Sequence, residues 1–317
     1  MIGFIIRRLL QAVPLVIGVS LIAFALMHLA PGGPLAVYTL NPTIQTQDIE
    51  RIKIILGLDQ PLHIQYWKWA TGMLTGHWGF SFFGGRPVLD IILERFPATL
   101  ILMGSALSVA IILGLGVGIL GAVKRYSIFD TLATSGALVA LSFPTFWFGL
   151  MAIFLFAINL RWLPSGGMYE FGEEGNILSL LRHLVLPTLV LALVITATWS
   201  RYTRSAFLEV MNQDFMRTAR AKGEPQSARL FRHAFPNAAK PLIALLGVEL
   251  PFLFSGALVT ETIFGWPGMG RLFVDSLNMK EYPILMGLMM FTALFVILGN
   301  LIADIAIAAM DPRVRLS

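Results

Sequence analysis

Six stretches of this chain stay apolar for about the 20 residues that a helix needs to cross a hydrocarbon core. They run approximately over Leu9–Leu29, Ala98–Val123, Leu132–Ala157, His183–Ser200, Pro241–Thr260 and Ile284–Ala303. A water-soluble core cannot absorb six such runs. The composition agrees, with 56% hydrophobic and only 13% charged residues among 317, roughly half the usual charged share. The expected fold is therefore an all-α integral membrane protein with six transmembrane helices.

Charge placement orients the spans. The first run follows Arg7 and Arg8 and invites a signal-peptide reading, but it is long for an h-region and Leu29-Ala30-Pro31-Gly32 offers no small-x-small cleavage site. A retained first helix is expected. With the N-terminus inside, Arg7, Arg8, Lys124, Arg125, the bases of 201–240, Arg313 and Arg315 are cytoplasmic, 14 of the 23 Lys and Arg. Five of the other nine lie in 31–97, a segment long enough to weigh little in the positive-inside count. Both termini are expected in the cytoplasm. A net charge of +5 and a pI near 9.7 do not point to nucleic acid, because the bases cluster beside apolar runs.

The expected organisation is an N-terminal transmembrane helix over 1–30, an extracytoplasmic or interfacial segment over 31–97, a five-helix core over 98–310 holding a cytoplasmic loop at 201–240, and a cytoplasmic tail over 311–317. Within 31–97, an amphipathic stretch over 49–56 precedes Gly57, a candidate C-cap. The aromatics Trp67, Trp69, Trp78, Phe80, Phe82 and Phe83 suit either a segment lying at the membrane–water boundary or a small cap packed on the helices. Residues 158–182 read as an exposed loop with Glu170, Glu173 and Glu174. Loop 201–240 reads as helical pieces broken at Gly223 and Pro236.

Catalytic and metal chemistry find little purchase. The chain has no cysteine, and its five histidines lack zinc-ligand spacing. Gly116-Val117-Gly118-Ile119-Leu120-Gly121 matches G-x-G-x-x-G but lies inside an apolar span with no strand before it, so it is no dinucleotide site. Gly114 and Gly118 instead form a G-x-x-x-G spacing for close helix packing. There is no P-loop, nucleophile elbow or H-E-x-x-H. No metal, cofactor or catalytic residue is expected. Glu249 near the middle of the fifth run, beside Pro251, is either a pathway residue or a hydrogen-bonded packing contact. Asp304 can reach the interface and pair with Arg313 or Arg315. Pro144, Pro187 and Pro251 each permit a kink.

The loop 201–240 carries the specific signal. It reads Asp214-Phe215-Met216-Arg217-Thr218-Ala219-Arg220-Ala221-Lys222-Gly223, then nine residues, then His233-Ala234-Phe235-Pro236-Asn237-Ala238. This resembles the E-A-A-x3-G-x9-I-x-L-P signature of ABC importer permeases, with Ala219, Gly223 and Pro236 at consensus positions. The R-T-A-R-A-K-G start and the R-H-A-x-P-N-A finish resemble the dipeptide and oligopeptide branch, although Glu224-Pro225-Gln226-Ser227 departs from it. Ala30-Pro31-Gly32, Leu56-Gly57-Leu58-Asp59-Gln60-Pro61, Gly85-Arg86-Pro87-Val88, Arg95-Phe96-Pro97-Ala98-Thr99, the run from Glu261 to Leu272 and Asp311-Pro312-Arg313-Val314-Arg315-Leu316 extend the resemblance along the chain.

The resemblance implies a type I ABC importer permease in a bacterial or archaeal inner membrane. The implied partners are a second related permease, two cytoplasmic ABC ATPases, an extracytoplasmic solute-binding protein, a peptide substrate and membrane lipid. In that family the loop forms a coupling helix that docks on the ATPase, which assigns the role to Arg217, Thr218, Ala219, Arg220, Lys222, Gly223, His233 and Pro236. ATP closes the ATPases and the helices reorient a central path, for which Glu249 and Pro251 are candidates. Related permeases are associated with dipeptides, longer peptides, nickel complexes, glutathione and haem. A secondary, ion-coupled transporter is the alternative class, and an ordinary basic inner loop is the plain reading of 201–240.

Overall fold

The computed structural model describes residues 2–35, 45–55, 57–249, 251 and 257–310, with side chains except those of 2–4, 46 and 306–310. In chain order its helices are α1 (Ile2–Leu29), α2 (Thr46–Ile55), α3 (Leu62–Leu74), α4 (Val88–Val123), α5 (Ile128–Ser142), α6 (Thr145–Ala152), α7 (Ile177–Met211), α8 (Asp214–Ala221), α9 (Phe235–Glu249), α10 (Leu258–Ile263), α11 (Met269–Met279) and α12 (Tyr282–Met310). Among the described residues the only strand-like feature is one isolated antiparallel bridge, Phe80 to Pro87.

Helices α1, α4, α7 and α12 are long and apolar enough to cross a membrane. A fifth span results if α5 and the helical stretch Thr145–Asn159 count as one. That third expected run is not a single rod: the pair bends by 99° at a short break. The cause is local, because Phe143 precedes Pro144, whose ring disfavours the helical region for the residue before it. Phe143 accordingly sits extended at φ −94°, ψ 141°. Of the fifth expected run, Pro241–Thr260, residues 250 and 252–256 lie outside the described residues, as does the tail 311–317.

The core is built on α4 and α7. Ser105 faces Thr188 at 2.8 Å, Gly114 faces Trp199, and Gly118 faces Thr203. These pairs advance together, so the two helices run parallel. The expected G-x-x-x-G seam is present and tight: a Cβ on Gly114 would lie 2.5 Å from Trp199 Cβ, and one on Gly118 would lie 2.6 Å from the Ser200 carbonyl oxygen. Caps set where the chain enters. Ser127 Oγ accepts from the Asp130 N–H at the start of α5, and Asn176 Oδ1 accepts from Leu178 and Ser179 at the start of α7.

The N-terminal cap packs on this bundle. Tyr66 and Trp69 of α3 lie against Phe24 of α1 and Met286 of α12, with Tyr66 hydroxyl 2.8 Å from Ser20 Oγ. Gly57, at φ +69°, ends α2 as expected: its N–H reaches Ile54 and that of Leu58 reaches Lys53. Of the aromatic residues in 31–97, Tyr66, Trp69 and Trp78 are packed while Trp67, Phe80 and Phe83 stay exposed. Asp304 pairs with Arg8 of α1 at 3.1 Å. Its expected partners Arg313 and Arg315 lie outside the described residues.

Candidate functional site

At the C-terminal end of α7 the chain turns through Asn212 and Gln213 into the two-turn helix α8. One side of α8 is buried through Met216 and Ala219, and the other exposes Arg217, Thr218, Arg220 and, just beyond, Lys222. Met216 enters a core made by Ala122 of α4, Ala206, Phe207 and Val210 of α7, and Ala234 and Ala238. Burying one such side chain is worth about 1.5–3 kcal/mol, enough to fix a short helix that could not hold alone. Arg217 makes only an exposed pair with Asp214 one turn back. Arg220 and Lys222 have no carboxylate within pairing distance among the described residues.

Gly223 closes the helix. Its φ of +74° is the left-handed geometry a glycine adopts without strain. Its N–H bonds the Arg220 carbonyl at 3.0 Å, and the Glu224 N–H bonds that of Ala219 at 3.3 Å. Those two bonds define a Schellman motif. The atypical Glu224 then has an evident use: its carboxylate lies 2.7 Å from His233 Nε2, tying the turn to the next helix. That helix does not break at Pro236, contrary to the sequence expectation. It runs from Gln226 through Glu249, and the ladder widens to π form over Arg229–Ala234, just ahead of the proline that has no N–H to give. The Asn237 amide caps the His233 carbonyl at 2.9 Å. The eight residues assigned to this loop from sequence are thus brought into one unit, in which Ala219 is buried.

Glu249 and Pro251 are placed less informatively. Glu249 is the last residue of α9 and half-buried, and Pro251 is buried.

Three carboxylates that sequence reading passed over hold the rest of the bundle. Asp130 accepts both Arg204 Nε (2.6 Å) and a second guanidinium nitrogen (2.8 Å), and also the Tyr126 N–H. This bidentate pair joins α5 to α7 near the loop. At the other end of α7, fully buried Glu261 accepts from Thr99 Oγ1 at 2.9 Å and the Arg271 N–H at 3.0 Å. Thr99 Oγ1 in turn accepts from the Met269 N–H. Gly268 and Gly270 leave the room this needs, since a Cβ on Gly268 would strike the carboxyl group. Trp266, also fully buried, donates from Nε1 to the Ala98 carbonyl at 2.8 Å. Buried Glu281 accepts from Ser81 Oγ (2.7 Å) and from the N–H groups of Phe82 (2.9 Å) and Phe83 (2.8 Å). The turn that aims it uses Lys280 in the left-handed region at φ +59°, at a cost of about 1–2 kcal/mol. The partners lie 162 and 200 residues apart in sequence, so no local pattern announces them.

Comparison with known proteins adds to this geometry. A family model described as the binding-protein-dependent transport system inner membrane component matches residues 111–316, and its N-terminal companion matches 1–103. The oligopeptide transport system permease protein AppB of Bacillus subtilis (strain 168) is 41% identical over 316 residues, covering 99% of this chain and all of the relative. The glutathione transport system permease protein GsiC is 36% identical in Salmonella paratyphi A and 37% in Escherichia coli K12, each over 315 residues and 99% of both chains.

Proposed function

The chain belongs to the binding-protein-dependent transport system inner membrane components, and from that membership we propose that its solute is a peptide and that residues 214–236 couple uptake to ATP hydrolysis on other subunits. It is a multi-pass permease subunit of an ABC importer, a transport component rather than an enzyme. Six spans, cytoplasmic termini and a bacterial or archaeal inner membrane complete the reading. The partners are a second related permease, two ATPases and an extracytoplasmic binding protein, and Glu249 and Pro251 line the path.

The observation that carries the coupling role is the build of α8. A helix fixed to the ends of α4, α7 and α9 by Met216, and closed by Gly223, transmits a push on its outer face to all three. Its exposed cations can then bind an acidic groove by charge-assisted bonds. The GsiC relatives carry glutathione in their names, and that solute is itself a modified tripeptide, so a peptide class covers both sets of names.

The test is peptide-stimulated ATP hydrolysis in proteoliposomes holding the chain with its partner permease, ATPases and binding protein. The double variant Arg220→Glu, Lys222→Glu should lose at least tenfold in stimulation while its thermal unfolding matches the wild type. Uptake that proceeds without any ATPase would instead favour an ion-coupled transporter. Unchanged stimulation in the variant would reduce the loop to a basic tether.

A further inference from the structure

We infer that a charged cavity of about 500 Å³ at the N-terminal end of α7 receives the free ends of a zwitterionic solute, its carboxylate on Arg161 and Arg182 and its ammonium on Glu170 and Glu173. The volume lies within the 300–1,000 Å³ usual for small-molecule sites. The inference rests on the reading that the solute is a peptide and adds where, and by which groups, it is met.

The cavity is a built feature rather than a gap between loops. One wall follows the π-helical stretch Ile153–Asn159, a geometry that recurs at functional sites. The chain returns with Trp162 and Leu163 both bonding the Phe156 carbonyl. Just before them Arg161 takes φ +55°, a left-handed conformation unfavourable for a residue with a side chain. Such strain persists where surrounding structure enforces it, and it commonly marks functional positions. The opposite wall is fixed by the Glu170 N–H on Ser179 Oγ at 2.8 Å, followed by the Glu173 N–H on the Glu170 carbonyl at 3.0 Å.

Charge and hydrogen bonding then define the ligand. Two guanidinium and two carboxylate groups line the cavity, yet no ion pair joins any of them among the described residues. A pure anion or cation site would carry an excess of one sign, whereas this lining sums to zero with both signs left unneutralised by each other. Asn176 Nδ2 donates to the Glu173 carboxylate at 3.4 Å, and among the other polar groups of the lining is His183, only 7% exposed. Its Nδ1 lies 2.8 Å from the Ser179 carbonyl, which can only accept, so Nδ1 carries a proton and the tautomer this bond selects has its lone pair on Nε2. With no protein donor on Nε2, that lone pair is available to an ammonium or amide N–H in the cavity. No group of three metal-ligating side chains is present among the described residues, which leaves Glu170, Glu173 and His183 without a cation-cage reading.

The probe is trialanine with free ends, measured by saturation-transfer NMR against the full chain with its partner permease in lipid nanodiscs, beside N-acetyl-trialanine amide. Signal from the free peptide and at least a tenfold weaker signal from the capped one is expected. Arg161→Gln with Arg182→Gln should abolish the difference, Arg161→Lys with Arg182→Lys should retain part of it, and His183→Phe should weaken binding without altering thermal unfolding. Equal binding of both peptides, or a Gln variant that binds like wild type, overturns the site. ATP-driven uptake by the assembled complex is measured in parallel. Uptake without end-dependent binding removes the cavity and leaves the importer function, whereas binding without uptake does the reverse. If neither occurs, both are wrong.

Discussion

The two ends of α7 handle charge in opposite ways. Around its N-terminal end Glu261 is removed from solvent and met by donors from α4 and α11, in a knot completed by Trp266 on the Ala98 carbonyl. At its C-terminal end Arg217, Arg220 and Lys222 stand exposed on a helix whose other side is buried. A buried carboxylate with its donors supplied by the same chain is a finished structural joint. Exposed cations contribute little to the stability of their own fold, so they leave the outer face of a firmly seated helix free of any structural duty.

That contrast breaks most visibly at Glu261. Replacing it with Ala removes the acceptor of both the Thr99 hydroxyl proton and the Arg271 N–H. At about 1.5–3 kcal/mol for each bond to a charged group, the loss is roughly 3–6 kcal/mol, read as a lower denaturation midpoint in detergent; a midpoint within a degree of wild type would show the knot to be dispensable. Glu281→Ala removes three bonds, but from a hairpin at the edge. The loss should be local opening rather than global unfolding, seen as at least tenfold faster amide exchange at Phe82 and Phe83 with little change elsewhere.

Between the two ends lies the glycine seam. Gly118→Ala introduces a Cβ 2.6 Å from the Ser200 carbonyl oxygen, and overpacking of this kind costs about 1–3 kcal/mol. Gly104, which has open space around it, should tolerate Ala nearly unchanged, and equal effects at both positions would refute close helix approach as the reason for the seam. The smallest effect belongs to α8. Arg217→Ala, Arg220→Ala and Lys222→Ala should each alter stability by less than about 0.5 kcal/mol, while together reducing ATPase coupling and making what remains less sensitive to salt.

Much of the structure of 214–236 was legible because its features are local. A glycine that ends a helix, a proline that removes a donor and a row of cations at a set spacing act within one or two turns. The same reasoning misjudged Pro236, which a π-form ladder accommodates without ending the helix, and it did not say that Ala219 is buried beside Met216. Glu224 shows the converse, since it looked out of pattern until His233 was found 2.7 Å away. In the knot around Glu261, the run from Glu261 to Leu272 was visible as a motif, but nothing in it said which side chain was buried or why.

Hydropathy adds residue by residue, so the apolar runs, the all-helical class and the glycine seam follow from the order of amino acids without knowledge of contacts. The 99° break at Phe143 is of the same kind, being set by the residue that follows it. Which carboxylates are buried is a different matter, because the free energy of burying Asp130, Glu261 and Glu281 depends on donors 74, 162 and 200 residues away. Those partners are brought together only when α4, α5, α7, α11 and α12 are packed.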